Sequence, residues 1–182
     1  RSKDHESAKL ANLQLRGLAE RKKLWEQAAS AKRTLEQSPT DPAAHLAIGK
    51  FLCWVAGDWE TGLPHLAQSG DETLQQLARQ DLAQPSAAEG MLALAQQWKT
   101  WADKAGGIEQ NGAWLRAQYW LEKALPKLTG AALAEARKLL AEIKEKRMPL
   151  LEPSTAKPAA SEAKAGEVNR WEAHREAVTC LA

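Results

Sequence analysis

"DPAAHLAIGKFLCWVAGDWETGLPHL", Asp41 to Leu66, decides how this chain is read. It opens on a helix-start pair. Asp41 suits a cap, and Pro42 suits the first helical position, where its missing N–H costs nothing. Ala44, Ile48, Phe51 and Val55 then recur at the three- and four-residue steps of one helix face. The predicted helix runs from Pro42 to Ala56. Gly57-Asp58-Trp59 turns the chain into a shorter helix, about Trp59 to Ala67, which carries Leu63 and Leu66. Pro64 kinks that helix or keeps it short, because a mid-helix proline removes a hydrogen bond.

The same reading extends both ways. Upstream, residues 3–37 form one long predicted helix with Leu24, Ala28, Ala31 and Leu35 on one side. Gly17 weakens its centre by about 1 kcal/mol relative to Ala, and "SPTDP" stops it. Downstream, Asp71 caps a helix whose apolar residues are Leu74, Leu77, Ala78 and Leu82. Ser86 and Glu89 fit a capping box, followed by the clearest stripe in the chain: Met91, Leu94, Ala95, Trp98 and Ala102. "GGIEQNG", Gly106 to Gly112, reads as a loop. A helix from about Asn111 to Leu125 follows, with Trp114, Ala117, Leu121, Ala124, Leu125 and Leu128 along one side. Thr129 caps a last helix lined by Leu133, Ala136, Leu140 and Ile143, which ends before Pro149.

These elements predict an all-α fold of helix-pair repeats over residues 1–147, with units at about 42–84 and 85–147. One helix pair cannot bury its own apolar face, so pairs must stack. Residues 148–165 carry three prolines, small residues and charges, and read as an extended linker. The closing 166–182 changes to strand-like text around Val168, Trp171, Val178 and Cys180. There are eight Trp against one Tyr and one Phe. Burying a Trp contributes several kcal/mol, so several should lie between packed helices.

Composition narrows the function. Twenty-five basic and 23 acidic residues leave a formal charge of +2, too balanced for a nucleic-acid partner. The runs "RKK" at 21–23 and "KEKR" at 144–147 read as solvated helix faces. No apolar run is long enough to span a membrane. No Gly-x-Ser-x-Gly turn, phosphate loop or dinucleotide turn occurs. No histidine has another three or four residues away, so a helical metal pair is not expected. His45 and His65 flank the first helix pair and can approach each other and Cys53; a metal site built from the three is the lesser reading, and ordinary groove or surface histidines are the expectation. Cys53 and Cys180 read as free thiols, which fixes no compartment. No catalytic, cofactor-binding or metal-ligating residue is expected.

Gly49, the turn "GDW", Ala95, and Ala117, Leu121 and Ala124 of "AQYWLEKALP" together resemble tetratricopeptide repeats. In that family a small residue in the first helix lets the second approach closely. The turn comes one residue late, Pro64 interrupts a second helix and the Gly106 loop lengthens the second unit, so the likeness is to an irregular array. A closer resemblance, over roughly residues 25–143, lies in "LAIGKFLCWVAGDWETGLPHLAQSGD", "LARQDLAQP" and "AQYWLEKALPKLTG". It is to a helical module of large multidomain bacterial proteins, and it implies scaffolding without enzymatic activity. "RWEAHREAVTCLA", Arg170 to Ala182, resembles the opening of a WD-repeat propeller, with His174 at the structural His and Ala173 where Gly is usual. That resemblance implies a downstream propeller in the same chain.

In tetratricopeptide-like folds the first helix of each pair lines a concave groove. By position, Lys50, Trp54, Gln96 and Lys99 would face it and could take a protein or peptide partner. The function expected is a non-enzymatic interaction or scaffolding module. The alternative is a regulatory or spacer region of an enzyme encoded upstream, such as a protein kinase.

Overall fold

The computed structural model describes residues 2–147, without the side chains of residues 2–10 and Leu13. The linker and strand-like stub expected over 148–182, with His174 and Cys180, lie outside the described residues. Those described are all-helical, with no strand. Seven α-helices follow one another: α1 Ser2–Gln37, α2 Pro42–Lys50, α3 Trp59–Leu66, α4 Glu72–Leu82, α5 Ala88–Ala102, α6 Gly107–Ala124 and α7 Gly130–Lys146. A π-helical turn, Phe51–Ala56, extends α2, and a 3-10 turn, Leu125–Lys127, follows α6.

Local chemistry sets most boundaries. Asp41 Oδ1 accepts from the Ala44 amide at 2.7 Å, with Pro42 at the first position of α2. Asp58 and Asp71 cap α3 and α4 in the same way, through Thr61 N at 3.1 Å and Leu74 N at 3.0 Å. Gly57 closes the π turn at φ 69°, the left-handed region that suits glycine. Pro64 stands inside α3, which ends two residues later after only eight residues.

Four expectations need correction. First, the helix from Pro42 to Ala56 is not a single α-helix. Its last six residues widen into the π turn, which rotates the buried face. Phe51, Cys53 and Trp54 are all buried there, while Val55 is only half-buried. Second, Ser86 and Glu89 form no capping box: Ala87 occupies the N-cap, with no side-chain bond. Pro85 disfavours a helical residue before it, and Gln84 takes φ 47°. Third, "GGIEQNG" is mostly helix, because α6 begins at Gly107. A carboxylate from far upstream starts it: Glu20 Oε2 of α1 accepts the Ile108 amide at 3.0 Å, where the N-terminal dipole favours an anion. Fourth, Leu82 is 42% exposed, and Asp81 takes the buried place on α4.

The core lies mainly between α5 and α6, where Met91, Leu94, Ala95, Trp98 and Ala102 meet Ala113, Ala117, Trp120, Leu121 and Ala124. Trp54, Trp98, Trp114 and Trp120 are buried, as the tryptophan count predicts. At the other end α2 lies against both α1 and α3. Gly49 sets the approach to α3: a Cβ there would stand 2.7 Å from Leu66 Cδ2 and 3.0 Å from the Leu66 amide. Thr129 sits at the N-cap of α7, as expected, but its side chain makes no capping bond. α7 buries only Ala136 and Ile143.

Candidate functional site

Asp81 holds the middle of the domain together. Its side chain is fully buried, and its carboxylate gathers donors from two neighbouring helices. Trp98 Nε1 of α5 donates to Oδ2 at 2.8 Å, and Trp120 Nε1 of α6 donates to the same oxygen at 2.9 Å. Arg116 of α6 clamps the carboxylate with Nε on Oδ2 at 2.8 Å and a second, very short bond from a terminal guanidinium nitrogen to Oδ1. The Arg116 guanidinium also lies 4.9 Å from the Trp59 ring of α3 and 4.4 Å from that of Tyr119. A buried carboxylate with this many donors is satisfied, and nothing is left on it for a ligand. The cluster joins α4, α5 and α6 and touches α3; its task is to fix the helices that carry the surface.

That surface is an open concavity of about 670 Å³. Lys50 of α2, Gln76 of α4, Gln96, Thr100 and Trp101 of α5 and Glu109 of α6 line it. Lys50 is its pivot. Its ammonium bonds Glu109 Oε1 at 2.9 Å and stands 5.4 Å above the Trp54 ring. Two further hollows, of about 600 and 360 Å³, open towards α1, and Lys50 borders both. No protein-family model, curated protein or solved structure matches this chain.

Of the four residues expected in a groove, Lys50 and Gln96 share this concavity. Trp54 lies beneath it. Its ring is buried and stacks on Trp101, with centroids 5.3 Å apart and planes 22° apart. Gly112 admits it, since a Cβ there would overlap Trp54 Cδ1. Trp101 is thus the aromatic face the hollow presents, with Trp54 as its support. Lys99 points elsewhere, bonding Asp103 Oδ2 at 2.7 Å and Glu142 Oε1 of α7 at 3.1 Å. The Asp103 bond comes first among the causes that raise its pKa.

Sequence reasoning missed Glu20, Glu109 and Trp101. Glu20 and Glu109 read as solvated acids in isolation, and only the packing of α1 and of the π turn after Lys50 on α6 gives them partners. Trp101 follows Trp98 by one turn, so it borders the same stripe, a signal that spacing alone could have supplied.

His45 and His65 do meet. Their Nδ1 atoms are 2.9 Å apart, and His45 Nε2 lies 2.9 Å from the Pro39 carbonyl oxygen. Among the described residues, no group of three His, Cys, Asp or Glu is placed to hold a metal ion. Burial pushes the Cys53 thiol well above its ordinary pKa, so it is a packed apolar group rather than a nucleophile. No helix among the described residues is long and apolar enough to cross a membrane.

Proposed function

We propose that this domain is a non-enzymatic interaction module, tetratricopeptide-like in its packing, that takes an extended stretch of polypeptide in the hollow around Lys50 and Trp101. The lining carries the argument. Gln76 and Gln97 each bring an amide that both donates and accepts, Gln96 keeps its oxygen and one N–H beyond its bond to Glu135, and Thr73 and Thr100 bring hydroxyls, of which that of Thr100 is left as an acceptor. Such groups match a peptide main chain, whose N–H and C=O alternate, without demanding a charge. The ionic groups around the rim balance, with Lys50 and Lys104 against Asp71 and Glu109. Trp101 offers a flat apolar face that a side chain of the peptide can cover.

The helix-pair reading is supported by Gly49, which lets α3 close on α2, and by the tight packing of α5 on α6. The setting we infer, a multidomain bacterial protein with a WD-repeat propeller downstream, rests on the resemblances in the sequence. In such a chain the helices would hold or space partners, needing neither metal nor cofactor.

Selection of peptides from a random displayed library on the full chain tests the reading. Ala93 is exposed and borders the hollow, so Ala93→Arg fills it without disturbing the core. Selected peptides should bind Ala93→Arg at least about tenfold more weakly, a loss of roughly 1.4 kcal/mol. They should bind Lys138→Glu, on the exposed side of α7, as they bind the unaltered chain. Equal binding to both variants, or no selection above background, removes the proposal.

A further inference from the structure

The head-on meeting of His45 and His65 is a site of another kind. His45 belongs to the first turn of α2 and is buried; His65 belongs to the last turn of α3 and is half-buried. A carbonyl oxygen only accepts, so His45 Nε2 must carry the hydrogen that reaches Pro39. A neutral His45 then has a bare Nδ1, and His65 must donate Nδ1–H to it across 2.9 Å. The ring centroids are 5.0 Å apart, so the two rings face each other almost end to end. A metal would need the lone pairs to converge on an apex beside the line between the nitrogens. A hydrogen on that line is what this geometry fits.

We propose that His45 and His65 form a proton-operated latch between α2 and α3, closed while the pair carries at most one extra proton and opened when both rings are charged. One proton is accommodated by reversing the bond: His45 becomes imidazolium, donates Nδ1–H, and His65 accepts on Nδ1 with its hydrogen moved to Nε2. A second proton leaves Nδ1–H facing Nδ1–H, two donors and two like charges in contact, so the rings must separate. The latch lies at the end of the pair where the α3–α4 loop also meets α2, since the Gly70 amide bonds the carbonyl of Pro42, the first residue of α2, at 3.3 Å.

Neither ring has a carboxylate bonded to it to offset the second charge. Asp41 at the start of α2 and Asp71 at the start of α4 each spend a carboxylate oxygen on their own helix amides. The π turn packed against α3 contributes Cys53, a neutral thiol. α1, which packs on α2, buries Leu24, Ala28 and Ala31, all apolar, and its cation Lys32 is half-buried beside Ala31 in sequence. Burial first, and the charge of His45 second, hold His65 below the ordinary imidazole value of 6.5. The unfolded chain therefore takes this proton near pH 6.5 and the folded chain at lower pH. Stability contributed by the closed pair is complete above about pH 6.5 and falls as the pH drops through that value towards the folded one.

Amide hydrogen exchange on the full chain tests the latch at pH 7.5 and 5.5, expressed as protection so that the intrinsic pH dependence of exchange is removed. Acid should lower protection in α2 and α3 severalfold, up to about tenfold for each unit by which the His65 pKa is depressed, and leave α5 and α6 unchanged. His65→Gln keeps a donor for His45 but cannot charge, so its α2 and α3 should show no such loss. An equal loss in His65→Gln, or no loss in the unaltered chain, overturns the proposal. Imidazole nitrogen NMR of the unaltered chain decides the matter if that variant does not fold. The latch requires one Nδ1–H and one bare Nδ1 at pH 7.5; two rings titrating independently near 6.5 would sink it.

Discussion

Two buried polar clusters hold this domain, and they are built to opposite rules. At the centre, Asp81 collects two indole N–H groups and a guanidinium, all donors to an acceptor. At the α2–α3 end, two like groups, His45 and His65, share one hydrogen. The first is complementary in charge and in donor count. The second is self-paired, so it works only while one ring lacks a proton at Nδ1. Burial makes each cluster depend on full satisfaction, because an orphaned polar group in a low-dielectric interior costs far more than its bond contributes. Acid bears on the terminal cluster, where a second proton sets donor against donor.

The sharpest way to break this contrast is to spoil the centre. Asp81→Asn keeps the shape but places an NH2 among four donors and leaves Arg116 without its counter-charge. Removing one partner of a buried pair typically costs about 3–5 kcal/mol, and here two indoles lose an ionised acceptor as well. Urea unfolding should show a loss of this size, enough to leave the domain marginal or unfolded. A loss under about 1 kcal/mol would mean that the centre is held by apolar packing alone.

This centre was the part least legible in the sequence. An aspartate between Gln80 and Leu82 reads as a solvated acid beside a core leucine. Helix phase says otherwise. With about 100° per residue, Leu77, Ala78 and Asp81 all fall within about 60° of Leu74, while Leu82 stands roughly 80° away on the far edge. The buried set on α4 is accordingly Leu74, Leu77, Ala78 and Asp81. Residue type misled where spacing was informative. The caps at Asp41 and Asp71 were readable because each acts within three residues of itself, while the equally local cap at Asp58 went unread inside the turn at residues 57–59. The π turn and the early start of α6 were not. Both depend on distant partners: the burial of Trp54 beside Gly112, and Glu20 reaching Ile108 across 88 positions of sequence. The candidate hollow was half legible. Position gave Lys50 and Gln96, but the π turn carried Trp54 inward and left Trp101 as the open face.

A smaller effect sharpens the comparison at the histidine end. Gly49→Ala sets a methyl 2.7 Å from Leu66 Cδ2 and 3.0 Å from the Leu66 amide nitrogen. A side chain can yield, but the backbone of α3 cannot without moving. Overpacking of this kind costs about 1–3 kcal/mol, which thermal unfolding would register. Because Leu66 adjoins His65, α3 should shift with the clash and lengthen the imidazole pair. The variant should therefore be less stable than the unaltered chain at pH 7.5, yet lose less on going to pH 5.5. Loss of stability with an unchanged acid response would separate the packing of α3 from its latch.

The smallest effect concerns a polar contact that belongs to neither cluster. Glu142 of α7 accepts from Lys146 at 2.7 Å and from Lys99 at 3.1 Å. The Lys146 bond first, then Lys99, holds its carboxyl below the ordinary value of 4.5. The stabilisation from such a depressed acid is present above about pH 4.5 and disappears as pH falls through the lower folded value. Glu142 keeps 34% of its side chain in water, so solvent and salt screen both contacts. Glu142→Gln should cost only about 0.2–1 kcal/mol at low salt and less at high salt. Charged contacts of the kind that make Asp81 indispensable thus contribute little at the surface, because water competes for every donor. If Glu142→Gln instead approached the loss from Asp81→Asn, the α5–α7 seam would have to be drier than its exposure indicates, and burial could no longer be the reason the two interior clusters matter.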